Sequence, residues 1–380
     1  MRIVRLETFT RPFVAIVRVT LEDGSQGFGQ MSPYHADIST EVFHRLVAPK
    51  ALGQDGTRIE AVVEHVFSEQ LKFPGTFLCR AIAGLDTALW DAAGKREEKP
   101  VWALLGAGGG VVPVYASSMS REITPDGEVE RFRRLGDAYG FRAFKFRIGQ
   151  KNGRNGDAWE GRTPAMIRTV GEAFAGTRVK LLVDGNSCYD VEHALRIGRM
   201  LEDAGISQFE EPCPYWQYDD TRAVARELDI PVSGGEQDNY LPAWQYMVAT
   251  DVVDVCQPDL CYVGGVSRAL KVAKIAEGGN KPVMFHAANS SLVTLFSLHV
   301  MAALPNAGSH CEFNIEPNAF HDVSLDRFFS PPLAVDDGAV ALGDAPGWGV
   351  APDDDWLAGA QWRESALADM ETRHAGKAIS

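Results

Sequence analysis

Three stretches between residues 179 and 236 decide the fold, because in each of them a short apolar run leads to an acidic residue. They read VKLLVDGN (179–186), SQFEEP (207–212) and PVSGGE (231–236). Asp184, Glu210 and Glu236 therefore follow one another at 26-residue steps. A buried strand and a helical return fill such a step, since parallel strands need long crossover connections. The pattern predicts parallel strands whose carboxyl ends meet at one edge.

The same alternation of strand-like and helix-like sequence continues on both sides. Five further β-branched or aromatic runs are VVPVYASS (111–118), FRAFKFRIG (141–149), DVVDVCQPDL (251–260), KPVMFHA (281–287) and SHCEFN (309–314). Eight strands with seven intervening helical segments predict an α/β fold, a (β/α)₈-type barrel over residues 111–320. Active sites of such barrels lie at the carboxyl ends of the strands.

Residues 1–110 are organised differently. Two β-rich runs and a turn signal open this region: IVRLETFT (3–10), FVAIVRVTL (13–21) and EDGS (22–25). Helical segments are expected at about 38–70 and 80–95, the second with Gly94 at its C-cap. Strands followed by helices predict an α+β domain. The tail over about 320–380 is expected to pack back on this domain and complete it.

Composition narrows the class of protein. The chain has 380 residues, 45% of them hydrophobic and 23% charged, as in globular proteins. Its net charge of -14 argues against partners such as nucleic acid or an anionic membrane, which need a basic surface. The six cysteines form no C-x-x-C pair and are expected to be buried thiols. With no signal peptide or membrane-length apolar run, a cytoplasmic location is expected.

Three carboxylates in one barrel mouth would repel one another unless a cation neutralised them. Asp184, Glu210 and Glu236 offer only oxygen donors, the ligands that a hard ion such as Mg²⁺ prefers. The alternative is that they are caps or solvated charges at the rim. Their regular spacing favours a Mg²⁺ site.

The other strand-end residues are Lys145, Arg147, Asp259, His286 and Glu312. Because neighbouring strands lie about 4.8 Å apart, Asp259 can hydrogen-bond His286 and make it a proton shuttle. Lys145 and Arg147 alternate on one strand, share a face and can bind a substrate carboxylate. Glu312 either reaches the ligand or pairs with Lys145. Together these groups suggest removal of a proton beside a carboxylate, with a metal stabilising the ene-diolate.

Seven motifs in order carry a resemblance that covers essentially the whole chain. They are ALWDAAGK (88–95), FKFRIG (144–149), VDGN (183–186), FEEP (209–212), GGEQ (234–237), QPDLCYVGG (257–265) and the strand of His286. On these motifs the sequence resembles the mandelate racemase subgroup of the enolase superfamily. The resemblance implies a modified (β/α)7β-type TIM barrel beneath an α+β capping domain formed by the N-terminus and the C-terminal tail.

The resemblance also implies the roles of the main strand-end residues. Asp184, Glu210 and Glu236 would be the Mg²⁺ ligands, and Asp259 with His286 would form the acid/base dyad. Such sites act on small carboxylates, and sugar-acid dehydratases are abundant in the subgroup. Enzymes of this family commonly form homo-oligomers.

Further roles follow from the same resemblance. Glu312 would hydrogen-bond the enolate or the substrate carboxylate, while Asn186 and Glu211 would support the metal site. Asn186 is also expected to contact substrate. Tyr34 and His35 follow the third strand like the family's specificity loop, and are therefore predicted to bind substrate.

One departure from the family pattern bears on the reaction. The usual Lys-x-Lys of the second strand is Lys145-Phe146-Arg147 in this chain. A guanidinium stays protonated, so Arg147 is a poor base. Racemisation needs competent groups on both faces of the carbon, whereas His286 alone can remove an α-proton and then protonate a departing β-hydroxyl. We therefore predict dehydration of an aldonate or aldarate to a 2-keto-3-deoxy acid.

Several alternatives stay open. Lys145 could act as a second base, which would make the protein a racemase or epimerase of an α-substituted acid. A lactonising activity is less favoured, since those sites carry lysine where this chain has His286. A non-catalytic binding protein would be expected to have lost site residues. The long polar stretch 150–162 could close over the site or be an ordinary loop.

Overall fold

A four-stranded antiparallel sheet joins the two ends of the chain. The computed structural model describes residues 1–73, 75–289, 291–316 and 329–369. The strands of this sheet, in spatial order, are β15 (Gln361–Ala366), β1 (Ile3–Thr10), β2 (Ala15–Leu21) and β3 (Gln26–Gln30). The predicted hairpin connects β2 and β3, with Gly24 at φ 86°, a conformation that glycine adopts without steric cost. The C-terminal strand thus completes a sheet begun by the N-terminus.

Helical segments follow this sheet, and the longest of them packs against β2 and β3. They are α1 (Ala36–Val42), a π-helical stretch (Phe43–Val47), α2 (Ala48–Ala51), α3 (Ile59–Glu69), α4 (Thr76–Arg96) and α5 (Val101–Leu104). The expected C-cap at Gly94 is wrong, because α4 continues to Arg96 and Glu97 follows as its cap. Position 94 has no room for a side chain, because a Cβ there would lie 2.6 Å from the Cα of Gly347. Close packing against the later chain therefore explains this glycine.

Parallel strands then form the barrel. They are β4 (Val111–Ser117), β5 (Ala143–Arg147), β6 (Lys180–Asp184), β7 (Gln208–Glu210), β8 (Val232–Gly234), β9 (Val255–Cys256) and β10 (Cys311–Asn314). Each of the first five pairs with the next, and β10 pairs with β4. The stretch 281–287 joins the ring through the single bridges Cys256↔Val283 and Asp259↔His286. The predicted capping domain over a (β/α)7β barrel is confirmed.

One helix follows each of the strands β4 to β8, two helices follow β9, and one follows the stretch 281–287. These helices are α6 (Pro125–Tyr139), α7 (Arg162–Phe174), α8 (Val191–Asp203), α9 (Tyr218–Glu227), α10 (Leu241–Ala249), α11 (Leu260–Val263), α12 (Val266–Gly278) and α13 (Leu292–Met301). In α8, Asp190 caps the first turn by accepting from the backbone N–H of His193 at 2.9 Å. Ala194, Ile197 and Leu201 bury its inner face at helical spacing. Local sequence therefore sets both the start and the orientation of this helix.

Short elements follow the barrel. They are β11 (Phe329–Ser330), β12 (Val335–Asp336), β13 (Ala339–Ala341), β14 (Ala351–Pro352) and α14 (Asp354–Ala358). β13 pairs with the first half of β4, and β11 pairs with β14. In the ranges given above, no helix is both long enough and apolar enough to cross a membrane.

His44 lies between β1 and β15 of the capping sheet. Its environment predicts an effect of pH on stability. Its ring lies 2.8 Å from the Thr8 hydroxyl and 2.8 Å from that of Ser365. Burial, together with the charge of Arg363, lowers the pKa of His44 to about 4. The unfolded chain therefore takes up this proton near pH 6.5 and the folded chain only near 4. Stability should fall over that range as the pH falls.

We expect His44→Gln to remove this part of the pH dependence. Between pH 7 and 4.5 the unfolding free energy of the wild type should fall by about 2 kcal/mol more than that of the variant. Urea unfolding at the two pH values measures both quantities. Equal losses of unfolding free energy in the wild type and the variant would contradict the role given to His44.

Candidate active site

The register of the barrel strands brings the predicted residues to one mouth. Arg147 pairs with Asp184 between β5 and β6, and Asp184 pairs with Glu210 between β6 and β7. Asp259 and His286 form a bridge on the other side of the ring. Parallel strands in one register end together, so residues distant in sequence become neighbours.

Each of the three predicted metal ligands is buried and is contacted by a cationic side chain. These contacts are Arg147 Nη1 on Asp184 Oδ2, Lys145 Nζ on Glu210 Oε2 at 2.7 Å, and His286 Nε2 on Glu236 Oε2 at 3.2 Å. Neutral donors hold the same carboxylates. They are the Asn186 N–H on Asp184 at 2.6 Å, Gln257 Nε2 on Glu210 at 3.0 Å, and Gln237 Nε2 on Glu236 at 2.9 Å. Ion pairs thus balance the negative charge of this cluster.

The carboxylates match a hard divalent ion in donor type and burial. Glu211 adds an observation of its own, since its Oε1 atom is buried without a hydrogen-bond partner. Burial and the nearby charges of Glu236 and Glu210 raise the pKa of Glu211 well above its usual value. A positive ion beside these groups would relieve that repulsion. Within the described ranges, no three Asp, Glu, His or Cys side chains stand close enough to hold a metal as they are.

His286 and Asp259 form the expected dyad. His286 Nδ1 lies 2.9 Å from Asp259 Oδ2, while Asp259 Oδ1 accepts from the N–H groups of Cys261 and Tyr262. Asp259 is therefore fixed from both sides, which directs the other ring nitrogen of His286 towards Glu236. Burial by itself would lower the pKa of His286, but Glu236, Asp259 and Glu312 outweigh it and raise the pKa to about 10.

Lys145 and Glu312 form a second buried pair. Lys145 Nζ lies 2.8 Å from Glu312 Oε1, which also accepts from the Ser117 hydroxyl at 2.7 Å. The backbone N–H of Ala287 donates to the other oxygen of Glu312 at 2.7 Å. Burial would raise the pKa of Glu312, but Lys145, His286 and Arg147 hold it far below its usual value. The ion pair considered above is therefore formed.

A cavity of about 560 Å³ opens above these groups. From the capping domain it is lined by Tyr34, His35, Thr76, Phe77 and Arg80. From the barrel it is lined by Met119, Arg121, Arg147, Lys151, Asn152, Asn186, Ser187, Glu211, Tyr215, Glu236, Gln237, Tyr262, His286 and Ala288. The predicted substrate-binding residues Tyr34, His35, Asn186 and Arg147 thus line one space. Lys145 lies beneath it, fully buried.

Tyr34 and His35 both adopt left-handed backbone conformations, at φ 69° and 49°. Such conformations are costly for residues with a side chain, and clusters of them occur at functional sites. The Tyr34 ring packs edge-on against Phe13, with centroids 4.8 Å apart. Burial and the nearby charges of Glu236 and Asp259 raise the pKa of Tyr34 to about 12.

Some lining residues were not predicted from sequence. Arg80 lies on α4, where its guanidinium stacks 3.5 Å from the Tyr262 ring centroid and donates to the Ser32 hydroxyl at 2.5 Å. Arg121 follows β4 and donates to the Asn186 side chain. No local motif marks either arginine. Lys151 and Asn152 also line the cavity, and they belong to the polar stretch 150–162, which the sequence had marked as a candidate loop over the site.

Comparison with known proteins agrees with this arrangement. The family profile "Mandelate racemase / muconate lactonizing enzyme, N-terminal domain" matches residues 3–106, and "Enolase C-terminal domain-like" matches residues 128–356. An arabinonate dehydratase of Saccharolobus solfataricus is 29% identical over 88% of this chain and 87% of its own. An L-talarate/galactarate dehydratase of Salmonella typhimurium is 27% identical over 91% and 82%.

Two solved structures are similar over nearly their full length. A Roseobacter denitrificans protein, provisionally described as a racemase, is 48% identical with a TM-score of 0.94, over 97% of this chain and 100% of its own. A mandelate racemase/muconate lactonizing protein of Paracoccus denitrificans, complexed with magnesium, is 29% identical with a TM-score of 0.86, over 96% and 98%. Matching profiles, a common fold and the strand-end residues agree: the chain belongs to the mandelate racemase group of the enolase superfamily.

Proposed function

We propose that the protein is a Mg²⁺-dependent dehydratase of a sugar acid, an aldonate or an aldarate. The observation that carries this proposal is the Asp259–His286 dyad, which lies beside a cluster of buried carboxylates at one cavity. The product is a 2-keto-3-deoxy acid. The sugar-acid dehydratases among the relatives support the same class of reaction.

Asp184, Glu210 and Glu236 are the residues that would hold the metal. When bound, Mg²⁺ would supply positive charge that stabilises an ene-diolate and offsets the carboxylates that raise the pKa of His286. Arg147 and Lys145 now compensate two of these ligands, and they are placed to turn their donors towards a substrate carboxylate instead.

The proton transfers belong to His286. Its neutral ring accepts the α-proton at Nε2, because Nδ1 is bonded to Asp259. The resulting imidazolium then gives that proton to the β-hydroxyl, which leaves as water when the C–O bond breaks. The enol product then loses its hydroxyl proton and takes up a proton at the β-carbon, which gives the 2-keto acid. Lys145 donates hydrogen bonds that stabilise the intermediate negative charge.

A racemase or epimerase is the second candidate, favoured by the description of the Roseobacter protein. That reaction needs a second base opposite His286. Lys145 donates to Glu210 and Glu312, and Arg147 is bonded to Asp184. Both cations therefore act as donors, which favours dehydration.

A panel of aldonic and aldaric acids tests the proposal in D₂O with Mg²⁺ present. We expect formation of a 2-keto acid from at least one member. Inversion at the α-carbon, with deuterium incorporated and the β-hydroxyl retained, would support the racemase instead. Neither product from any member would contradict both functions.

Arg147→Lys probes the choice between these reactions. We expect dehydration to persist within about tenfold, because the cation beside Asp184 is retained. The introduced amine can lose its proton, so α-deuterium and the epimer should both appear. ¹H NMR of recovered substrate measures exchange, and Arg147→Gln, which adds no base, is the control. Exchange that stays the same in all three proteins would remove Arg147 from this role.

A further inference from the structure

Two cations on one side of the cavity have no carboxylate partner in the described part of the chain. They are Arg121, on the loop after β4, and Lys151, on the loop after β5; we call them the outer cation pair. Both line the same cavity as His286. The carboxylates that line this cavity, Glu211 and Glu236, belong to the buried cluster described above.

Hydrogen bonds place the two loops beside each other. Arg121 Nε donates to the carbonyl of Gly149 at 3.1 Å, and its Nη2 donates to Asn186 Oδ1 at 2.6 Å. The backbone N–H of Asn152 donates to the carbonyl of Asn186 at 3.0 Å. Asn186 thus holds both Arg121 and the segment that carries Lys151.

The acceptors of the Arg121 guanidinium are neutral, so they leave its charge uncompensated. Burial, with the charges of Arg147 and Arg162, lowers the pKa of Arg121 to about 10. The environment therefore disfavours its positive charge although the protein as a whole carries -14. A cationic site of this kind is stabilised by an anionic ligand.

Asn186 also lies between Arg121 and the proposed metal site. Its Nδ2 donates to Asp184 Oδ2 at 3.2 Å, while its Oδ1 accepts from Arg121. One amide group with a hydrogen bond on each side therefore separates the proposed metal site from Arg121. A short carbon chain bound at the metal site can span this gap.

We propose that the outer cation pair binds a second anionic group at the far end of the substrate. Resting on the function proposed above, this makes the substrate an aldarate or a terminally phosphorylated sugar acid rather than a simple aldonate. A carboxylate and a phosphate share the chemistry that Arg121 and Lys151 recognise.

Binding of unreactive analogues tests the subsite without turnover. Adipate, 6-phosphonohexanoate and 6-hydroxyhexanoate carry the same first carboxylate and differ at the other end. We expect titration calorimetry on the full Mg²⁺-loaded protein to show at least about tenfold tighter binding of one dianion than of the hydroxy acid, with a preference that weakens as NaCl rises. The tighter dianion identifies the terminal group as carboxylate or phosphonate.

Variants separate charge recognition from loop structure. The double variant Arg121→Gln/Lys151→Gln should lose the preference, and Arg121→Lys, which keeps the charge, should retain most of it. Arg154→Gln removes a cation from the same loop outside the cavity and should change nothing. Equal binding of all three analogues, no binding of any, or an unchanged preference in the double variant would overturn the subsite.

Turnover distinguishes this inference from the proposed function. If no sugar acid is converted but the preference for a dianion persists, the proposed reaction fails and the subsite stands. If aldonates are dehydrated as efficiently as aldarates, and the double variant matches the wild type on both, the subsite fails and the reaction stands.

Discussion

His286→Asn is expected to lower kcat for dehydration by at least about 10³-fold, because in the proposed mechanism His286 takes the α-proton and returns it to the hydroxyl. The change leaves Asp184, Glu210 and their donors in place, so binding of Mg²⁺ should persist. Formation of 2-keto acid measures turnover, and exchange of the α-proton in D₂O measures the first step. Both should be lost together.

Asp259→Asn provides the matched test of the dyad. It keeps the shape of the side chain but removes the charge that orients the imidazole, and we expect a loss of about 10²- to 10⁴-fold. Circular dichroism and Mg²⁺ titration serve as controls for folding and metal binding. Full turnover by His286→Asn would exclude the histidine from the role given to it here.

Removal of the metal should abolish activity. EDTA is expected to lower turnover by more than about 10³-fold, and added Mg²⁺ should restore it, since the ene-diolate would otherwise lack its main source of positive charge. The same ion should stabilise the folded protein, by about 2.7 kcal/mol when its concentration is a hundred times the Kd.

Glu210→Gln tests the location of the metal. This variant should lose both turnover and the Mg²⁺-dependent rise in Tm, whereas Glu227→Gln, on α9 and away from the mouth, should keep both. Turnover that survives exhaustive chelation would contradict the proposed metal. A Tm shift that persists in Glu210→Gln would place the ion elsewhere.

The barrel could be predicted from sequence because its signals are local. An apolar run followed by an acidic residue marks a strand end, and helical spacing such as Ala194, Ile197 and Leu201 marks the return. The details that failed lie where tertiary packing decides. Gly94 looked like a helix end, but it is small because Gly347 packs against it.

Partners inside the site could not be predicted in the same way. The sequence placed Lys145 and Glu312 on separate strands and left two roles open for Glu312; the closed ring brings them to 2.8 Å. Arg80 and Arg121 carried no motif, since each reaches the cavity through contacts with distant segments, Tyr262 and Asn186. Such contacts depend on how elements pack and not on the residues beside them.

Local periodicity and regularly spaced strand-end charges thus specify the barrel and the residues that face its mouth, because a strand or helix buries one face through its own repeat. The ion pairs on each carboxylate, the direction of His286 Nε2 and the uncompensated charge of Arg121 come from the folded chain alone. Electrostatic energy depends on distances between side chains, and those distances exist only once the ring has closed and the capping domain covers it.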